Sequence, residues 1–318
     1  MVDRLAQTLD SISLVLPCHN GASWLKDLES GLSKQTARLS QIIVCDDASI
    51  DDTWIMLRHL AKTMMCRVQL SRHEHNMGVV STFEELLTHV DTEYFALCDQ
   101  DDVWLPDKLE RSVRLLESSG ADLVYTDLRV VDKNLKEVAP SMWRLSNIIP
   151  VSGHPVIPLL LKNSVTGCTV VARRRLLERV LPFPENIPMH DWWLALVAAC
   201  DKGVQPLNEQ TVLYRQHEDN AIGASEFGVK GLRARLGRRH VSVSSYLHER
   251  LSARLVLIDA LQERHLTYLP FLSWFYCQSS LVRFLLNPAY LVYTATHAGV
   301  LGFRNLAADW TLTCVPAV

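Results

Sequence analysis

The sequence predicts an α/β fold with a mainly parallel central sheet flanked by helices. Three observations predict it. Apolar runs such as "ISLVLP" (12–17) and "QIIVCDD" (41–47) have the length and continuity of strands buried on both faces. Segments with helical spacing separate them. Carboxylates stand at the ends of the runs, where ligands sit in sheets of this kind.

The elements follow in order. "ISLVLP" ends in Pro17, as a first buried strand. "ASWLKDLESGLSKQ" spaces Trp24, Leu25, Leu28 and Leu32 as one face of a helix. "QIIVCDD" is the second strand. The helix in "SIDDTWIMLRHLAKTM" carries Ser49, Asp51 and Asp52 at its start, all good early-turn residues. "RVQLSR" (67–72) is a third strand, and a helix from Val79 to Val90 follows "HEHNMG". "EYFALCD" (93–99) is a fourth strand, Pro106 opens another helix, and "DLVYTDLRVVD" (122–132) is strand again. "NSVTGCTVVARRRLLERV" reads as strand, then helix from near Arg173. "HDWWLALVAACDKG" (190–203) is a helix, and "QTVLYRQHEDNAIGA" is a strand running into a polar loop.

The 318 residues have room for one large core or two smaller ones, and 48% hydrophobic with 21% charged residues marks a globular chain. A net charge of −3 gives no general attraction to nucleic acid. Eight scattered cysteines without a CxxC pair indicate reduced thiols and no zinc site. The N-terminus is a poor signal peptide, so a cytoplasmic catalytic portion is expected. From Gly228 onward the composition changes: a stretch rich in Arg precedes interrupted aromatic and apolar runs too short for the ~20 residues of a membrane span. An interfacial helix on the cytoplasmic face of an anionic inner membrane, and a helical hairpin packed on the main domain or in a homodimer, fit this equally. The expected division is therefore 1–227 and a helical 228–318.

"ALCDQDDVWLPDKL" (96–109) sets Asp99, Asp101 and Asp102 within four residues. In extended geometry residues i and i+2 face the same way, so Asp99 and Asp101 point together. Oxygen ligands at this density suit Mg²⁺ or Mn²⁺. A solvated acidic turn before the helix is the plainer alternative, and Asp102 suits it. The compensating positive charge is expected to arrive with a ligand. "DDAS" after the second strand offers carboxylates able to accept from a nucleobase or ribose. No GxGxxG and no GxxxxGK[ST] is present, which speaks against a dinucleotide cofactor and an ordinary phosphate loop. Asp191 opens a helix, where it suits either a cap or a pocket-facing base. Of Trp192 and Trp193, only one can face a site.

In order, "ISLVLPCHNGASWL", "IIVCDDASIDDT", "HNMGVVSTFEELL", "YFALCDQDDVWLPDKL", "HDWWLALVAA" and "LYRQHEDNAIG" resemble the family 2 glycosyltransferases. More narrowly they resemble the bacterial rhamnosyltransferase-like branch of surface polysaccharide synthesis. The resemblance spans about residues 11 to 224. It implies a GT-A fold (Rossmann-like) with a C-terminal helical extension, a nucleotide-diphosphate sugar donor, a saccharide or lipid-linked acceptor, and Mg²⁺ or Mn²⁺. It further implies that Pro17 and His19 line the nucleotide pocket. Asp47 would meet the pyrimidine base, Asn76 and Gly78 would border the nucleotide, and Asp99 would lie near the ribose. Asp101 would hold the metal, His217 would contact metal or diphosphate, and Asp191 would be the base of an inverting transfer. Beside these, Arg215 could offset phosphate charge and His190 could orient the base. Arg173, Arg174 and Arg175 read as a solvated helix start. A nucleotidyltransferase would carry a basic residue in the loop after strand one, which "PCHNGASWL" lacks. A non-catalytic sugar-nucleotide binder would have little reason to keep Asp191.

Overall fold

A computed structural model describes residues 11–217 and 243–266, the side chains of 243–251 excepted. The calls on the basic run from Lys230 to Arg239 and on the aromatic tail lie outside the described residues.

Nine strands form one sheet. They are β1 (Ile12–Cys18), β2 (Gln41–Asp46), β3 (Arg67–Arg72), β4 (Tyr94–Leu97), β5 (Val103–Trp104), β6 (Leu123–Asp132), β7 (Glu137–Ala139), β8 (Val171–Arg173) and β9 (Val204–Gln216). Their order is β3-β2-β1-β4-β8-β6-β9-β5, with β7 beside β6. The first half, β3-β2-β1-β4, is parallel throughout. β6 and β9 form a second parallel pair, and β8 joins the halves by pairing antiparallel with both β4 and β6. The helices are α1 (Leu25–Ser33), α2 (Thr53–Thr63), α3 (Val79–Leu87), α4 (Lys108–Ser119), α5 (Met142–Leu145), α6 (Val156–Leu161), α7 (Leu177–Val180), α8 (His190–Cys200) and α9 (Val243–Glu263).

The continuous apolar runs do what their sequence requires. Leu14, Val15 and Leu16 of β1, and Ile42, Ile43 and Val44 of β2, are wholly buried. A strand with no polar face is stable only when both faces are covered, and the βα connections supply that cover. Because β1, β2 and β4 run in the same direction, the residues that follow them emerge at one edge of the sheet. His19, Asp47 and Asp99 are therefore neighbours by topology.

Several expectations are corrected. Val103–Trp104, to which the sequence assigned no element, forms β5 and pairs antiparallel with β9. Trp104 is buried there, and burial of a large aromatic outweighs the short local signal. The helix expected near Arg173 starts as a 3-10 turn, Arg174–Leu176, and continues as α7, while Arg173 itself is a strand residue tied by its guanidinium to Leu116 O, Ala121 O and Glu117. Arg175 pairs with Asp122 at 2.6 Å. At least these two members of the arginine run are structural ties, not a solvated helix start.

The helix α9 packs against α6 and enters the main core, with Leu257, Ile258 and Leu261 fully buried. Arg254, 1% exposed, donates to Leu161 O at 2.5 Å. Arg264 donates to Arg179 O and lies 5.3 Å from the Trp193 ring centroid. Two of the arginines counted as a membrane-facing basic stripe thus point into the protein. Among the described residues no helix is long and apolar enough to cross a membrane.

Candidate active site

The end of β1 is held open by polar ties. The His19 amide donates to Gln100 Oε1 at 2.9 Å, and Gln100 Nε2 donates to His19 O at 2.8 Å. This two-way bond fixes the acidic turn against strand one. Gly21 permits it, because a Cβ there would lie 2.1 Å from Gln100 Oε1. His19 Nδ1 also meets Asp47 O at 2.7 Å, and Pro17 sits half-buried beneath.

Asp47 is nearly buried. Its Oδ1 accepts from the Met77 amide and meets His73 Nδ1, each at 2.7 Å, and Oδ2 accepts from the Gly78 amide at 2.9 Å. Burial alone would raise this carboxyl, but the Met77 amide, His73 and the Gly78 amide together hold it below the usual range. The carboxylate that the resemblance assigns to a nucleobase is therefore also the anchor of the 73–78 loop. Asn76 stands exposed on that loop, and Gly78 adopts a positive φ of 83° that a side chain would resist.

Asp99 follows β4 at the same edge. Burial, then the charges of Asp101 and Asp191, push it up to about 7. Asp101 Oδ2 lies 2.9 Å from His217 Nε2, and the His217 ring stacks on Trp24 at 4.8 Å. An oxygen and an imidazole nitrogen this close, on half-buried side chains, suit one divalent cation once the nitrogen is unprotonated. The carboxylates around Asp101 supply the anionic field that such an ion relieves. A second set, Asp99, Asp102 and Cys168, has ligand atoms within 4.8 Å of one another. Burial raises both Asp102 and Cys168 well above their ordinary values.

The compensating charge is partly internal, contrary to the expectation that it comes only with a ligand. Lys108, within the quoted stretch itself, is wholly buried, and its Nζ donates to Cys168 O at 2.6 Å over the Trp104 ring. Burial lowers Lys108 to about 8, while Cys98, Cys168, Asp102 and Asp99 favour its charged form. The plain-turn alternative also fails for Asp102: it is buried and accepts from the Arg215 amide. Arg215, read from sequence as able to offset phosphate charge, is buried and engaged within the protein. Its guanidinium donates to Asp101 O, Lys133 O and Asp27 Oδ2, making it a strut behind the acidic turn.

Asp191 lies in the first turn of α8, whose cap position is Met189. Its Oδ1 accepts from Asn163 Nδ2 at 3.1 Å and Oδ2 from the Gly167 amide at 2.9 Å. Burial pushes it up to about 6 despite the opposing Trp192, Gly167 and Asn163 donors. Trp193 is core, with its indole N–H on Val180 O; Trp192 is half-buried and donates to Leu159 O. His190 does not orient Asp191 by a hydrogen bond. Both its ring nitrogens are buried without a partner, its ring stacks on Phe83 at 3.9 Å, and burial drives it down to about 3.

The predicted residues thus converge. His19, Asp47 and Gly78 form one bonded group; Asp101 is bonded to His217, and Asp99 lies within electrostatic reach of Asp101 and Asp191. Gln100 links the groups. Lys108, His73, Asn163 and Gly167 were not singled out from sequence. Of these only Lys108 had a signal, a lone cation inside an acidic strand end.

The chain is similar to known proteins in sequence and in fold. The family described as glycosyl transferase family 2 matches residues 13–181, over half of the chain. UDP-Glc:alpha-D-GlcNAc-diphosphoundecaprenol beta-1,3-glucosyltransferase WfgD of Escherichia coli is 24% identical over 200 residues, covering 62% of this chain and 73% of its own. dTDP-rhamnosyl transferase RfbG of Shigella flexneri is 25% identical over 223 residues, covering 65% and 73%. Among solved structures, S. aureus TarS in complex with UDP-GlcNAc superposes with a TM-score of 0.57 at 15% identity, covering 95% of this chain and 91% of that one. The mannosyltransferase PcManGT of Pyrobaculum calidifontis, in complex with GDP-Man and Mn²⁺, gives 0.51 at 17% identity, covering 95% and 87%. These structures share the GT-A fold with this chain.

Proposed function

This chain belongs to glycosyl transferase family 2, and from that premise we propose that it transfers a sugar, with inversion, from a nucleotide-diphosphate sugar to an acceptor hydroxyl. Pro17, His19, Asp47, Asn76, Gly78 and Asp99 border the nucleotide. Asp101 and His217 hold Mg²⁺ or Mn²⁺, which would neutralise the departing diphosphate. Asp191 takes the proton from the acceptor hydroxyl.

One observation carries the reading: Asp191 is a buried carboxylate, raised to about 6, in electrostatic reach of Asp99 and held in place by Asn163 and the Gly167 amide. Its value suits a base that is ionised at neutral pH yet basic enough to take a proton. One base and a donor phosphate on the opposite side suffice for direct displacement.

The donor sugar we propose is L-rhamnose carried on dTDP, supported by the likeness to RfbG; the WfgD likeness favours a UDP-hexose as the second reading. The acceptor we propose is a saccharide or lipid-linked saccharide of cell-surface polysaccharide synthesis, at the cytoplasmic face of the inner membrane; the lipid link is supported by the likeness to WfgD, which acts on a diphosphoundecaprenol-linked sugar. For residues 228–318 we propose a helical region that partly completes the catalytic domain, its remainder serving membrane contact or a homodimer. The test is direct. Purified protein is mixed with Mn²⁺ and a panel of nucleotide sugars, and nucleoside diphosphate release is followed. Asp191→Asn should abolish transfer and spare nucleotide binding; binding without transfer by the wild type would leave only a sugar-nucleotide binder.

A further inference from the structure

Beside the donor pocket stands a group that the catalytic reading does not use. The His73 ring lies between two carboxylates, with Nδ1 2.7 Å from Asp47 Oδ1 and Nε2 2.8 Å from Glu85 Oε2. Its main-chain amide donates to Asp46 O at 2.9 Å, so the ring cannot drift from the end of β2. The ring is only 13% exposed.

The hydrogen-bond inventory decides its state. An ionised carboxylate only accepts, and a neutral imidazole has one donor nitrogen. Two carboxylates facing the two nitrogens at these distances are both satisfied only when the ring carries both protons. We propose that His73 is a positioning residue for nucleotide binding: as an imidazolium it clamps Asp47 to Glu85 and so fixes the 73–78 loop at the edge of the donor pocket. The proposal rests on the assignment of Asp47 to the nucleotide.

Three consequences connect the clamp to the pocket. Asp47 also receives the Met77 and Gly78 amides, so a shift of its carboxylate moves the loop that carries Asn76. Glu85 is on α3, whose first residues follow that loop directly, so the clamp ties both ends of the segment. The charge balance favours the protonated ring. Burial lowers His73, but Asp47 and Glu85 outweigh it, and the net shift is upward from 6.5. The other groups around the ring are few. From β2 they are the Cys45 thiol and Asp46, the latter already paired with Arg72. From β1 His19 reaches only Asp47 O. Arg72, Glu74 and His75 flank His73 along its own segment.

The experiment measures binding of UDP and of dTDP to the full chain with Mn²⁺, by calorimetry from about pH 6.5 to about 9, in wild type, His73→Gln and Glu85→Gln. Wild-type affinity should hold at the acid end and fall about tenfold as the ring loses its proton, the worth of a hydrogen bond to a charged group. His73→Gln should begin about tenfold weaker and lack that fall, so the wild-type curve minus the variant curve removes titration of the nucleotide and of His19. Glu85→Gln should move the fall to lower pH, because one of the two carboxylates that favour the imidazolium is gone; it also serves where His73→Gln fails to fold. In turnover, both variants should raise KM for the donor and leave kcat at saturation unchanged. Parallel pH curves in wild type and His73→Gln, or an unmoved fall in Glu85→Gln, overturn the proposal, as does a loss confined to kcat. Failure of the transferase reading looks different: the wild type then binds neither nucleotide at any pH, and the clamp falls with it.

Discussion

Gly167 and Asp191 meet through one hydrogen bond, the glycine amide donating to Oδ2 at 2.9 Å, with no room for a side chain beside it. A Cβ on Gly167 would lie 2.9 Å from His190 Nε2 and 3.6 Å from Asp191 Oδ2. The imidazole cannot yield, because Phe83 stacks on its face. The position of the Asp191 carboxylate therefore depends on the absence of a side chain at residue 167.

Gly167→Ala should push Asp191 out of place. Nucleotide binding should survive, and kcat should fall at least tenfold, since small displacements of a base are costly. Overpacking should also cost about 1–3 kcal/mol of stability. Steady-state kinetics beside a urea unfolding curve checks both parts.

The pH profile should follow Asp191. It reacts deprotonated, so kcat should be flat near neutrality and decline as pH drops below about 6. Stability should run the other way. A carboxyl whose folded value lies above its unfolded one holds its proton longer when folded. Its contribution is present at the acid end and is lost as pH rises from about 4 through about 6. Asp191→Asn should remove this dependence from thermal melts.

Lys108→Met keeps much of the volume but removes the cation and the donor to Cys168 O. A buried ionic group stripped from its partners costs about 3–5 kcal/mol. Because Cys168 adjoins Gly167, kcat should fall as well. Chemical denaturation and turnover of the same preparation would show whether the two losses travel together.

Asp101→Asn should weaken Mn²⁺-dependent nucleotide binding about 10–100-fold, with little change in binding measured in a chelator. Chelation of the wild type should lower transfer to the variant's level. Equal Mn²⁺ dependence in variant and wild type would remove Asp101 from the cation site.

Arg254→Ala leaves Leu161 O without its partner and opens a void beside α6. Stability should drop by about 2–4 kcal/mol, read by urea unfolding. The donor KM should stay within about twofold, because α6 and α9 lie outside the nucleotide pocket, and surface or distant changes add independently.

Much of this was legible in the sequence, for definite reasons. β1, β2 and β4 are apolar enough that no other element fits them, and their parallel pairing then brings His19, Asp47 and Asp99 to one edge. The alternation that set Asp101 beside Asp99 assumed an extended strand end, whereas β4 stops at Leu97 and Gln100 and Asp101 form a turn. Asp191 needed the resemblance, because a first-turn acid is locally indistinguishable from one that serves the helix dipole. The rest was hidden by distance. Arg215 looks like a phosphate ligand until Asp27, 188 positions away, is seen to hold it. Lys108 reads as an ordinary helix-start residue because its partners come from β8's approach, 60 residues on. His73 sits in a polar loop, and nothing local says that β2 and α3 both supply it with a carboxylate.

The burial of Leu257, Ile258 and Leu261 in the main core also bears on how such a chain can change over generations. A catalytic unit that ended at its last strand could exchange its tail freely with relatives and so acquire new acceptors by recombination. Here α9 supplies core atoms, and Arg254 and Arg264 fasten it to α6 and to the turn after α7. A crossover placed upstream of α9 imports a helix shaped for another core. The core of the catalytic fold therefore reaches, through α9, into what composition alone marks as a separate C-terminal region.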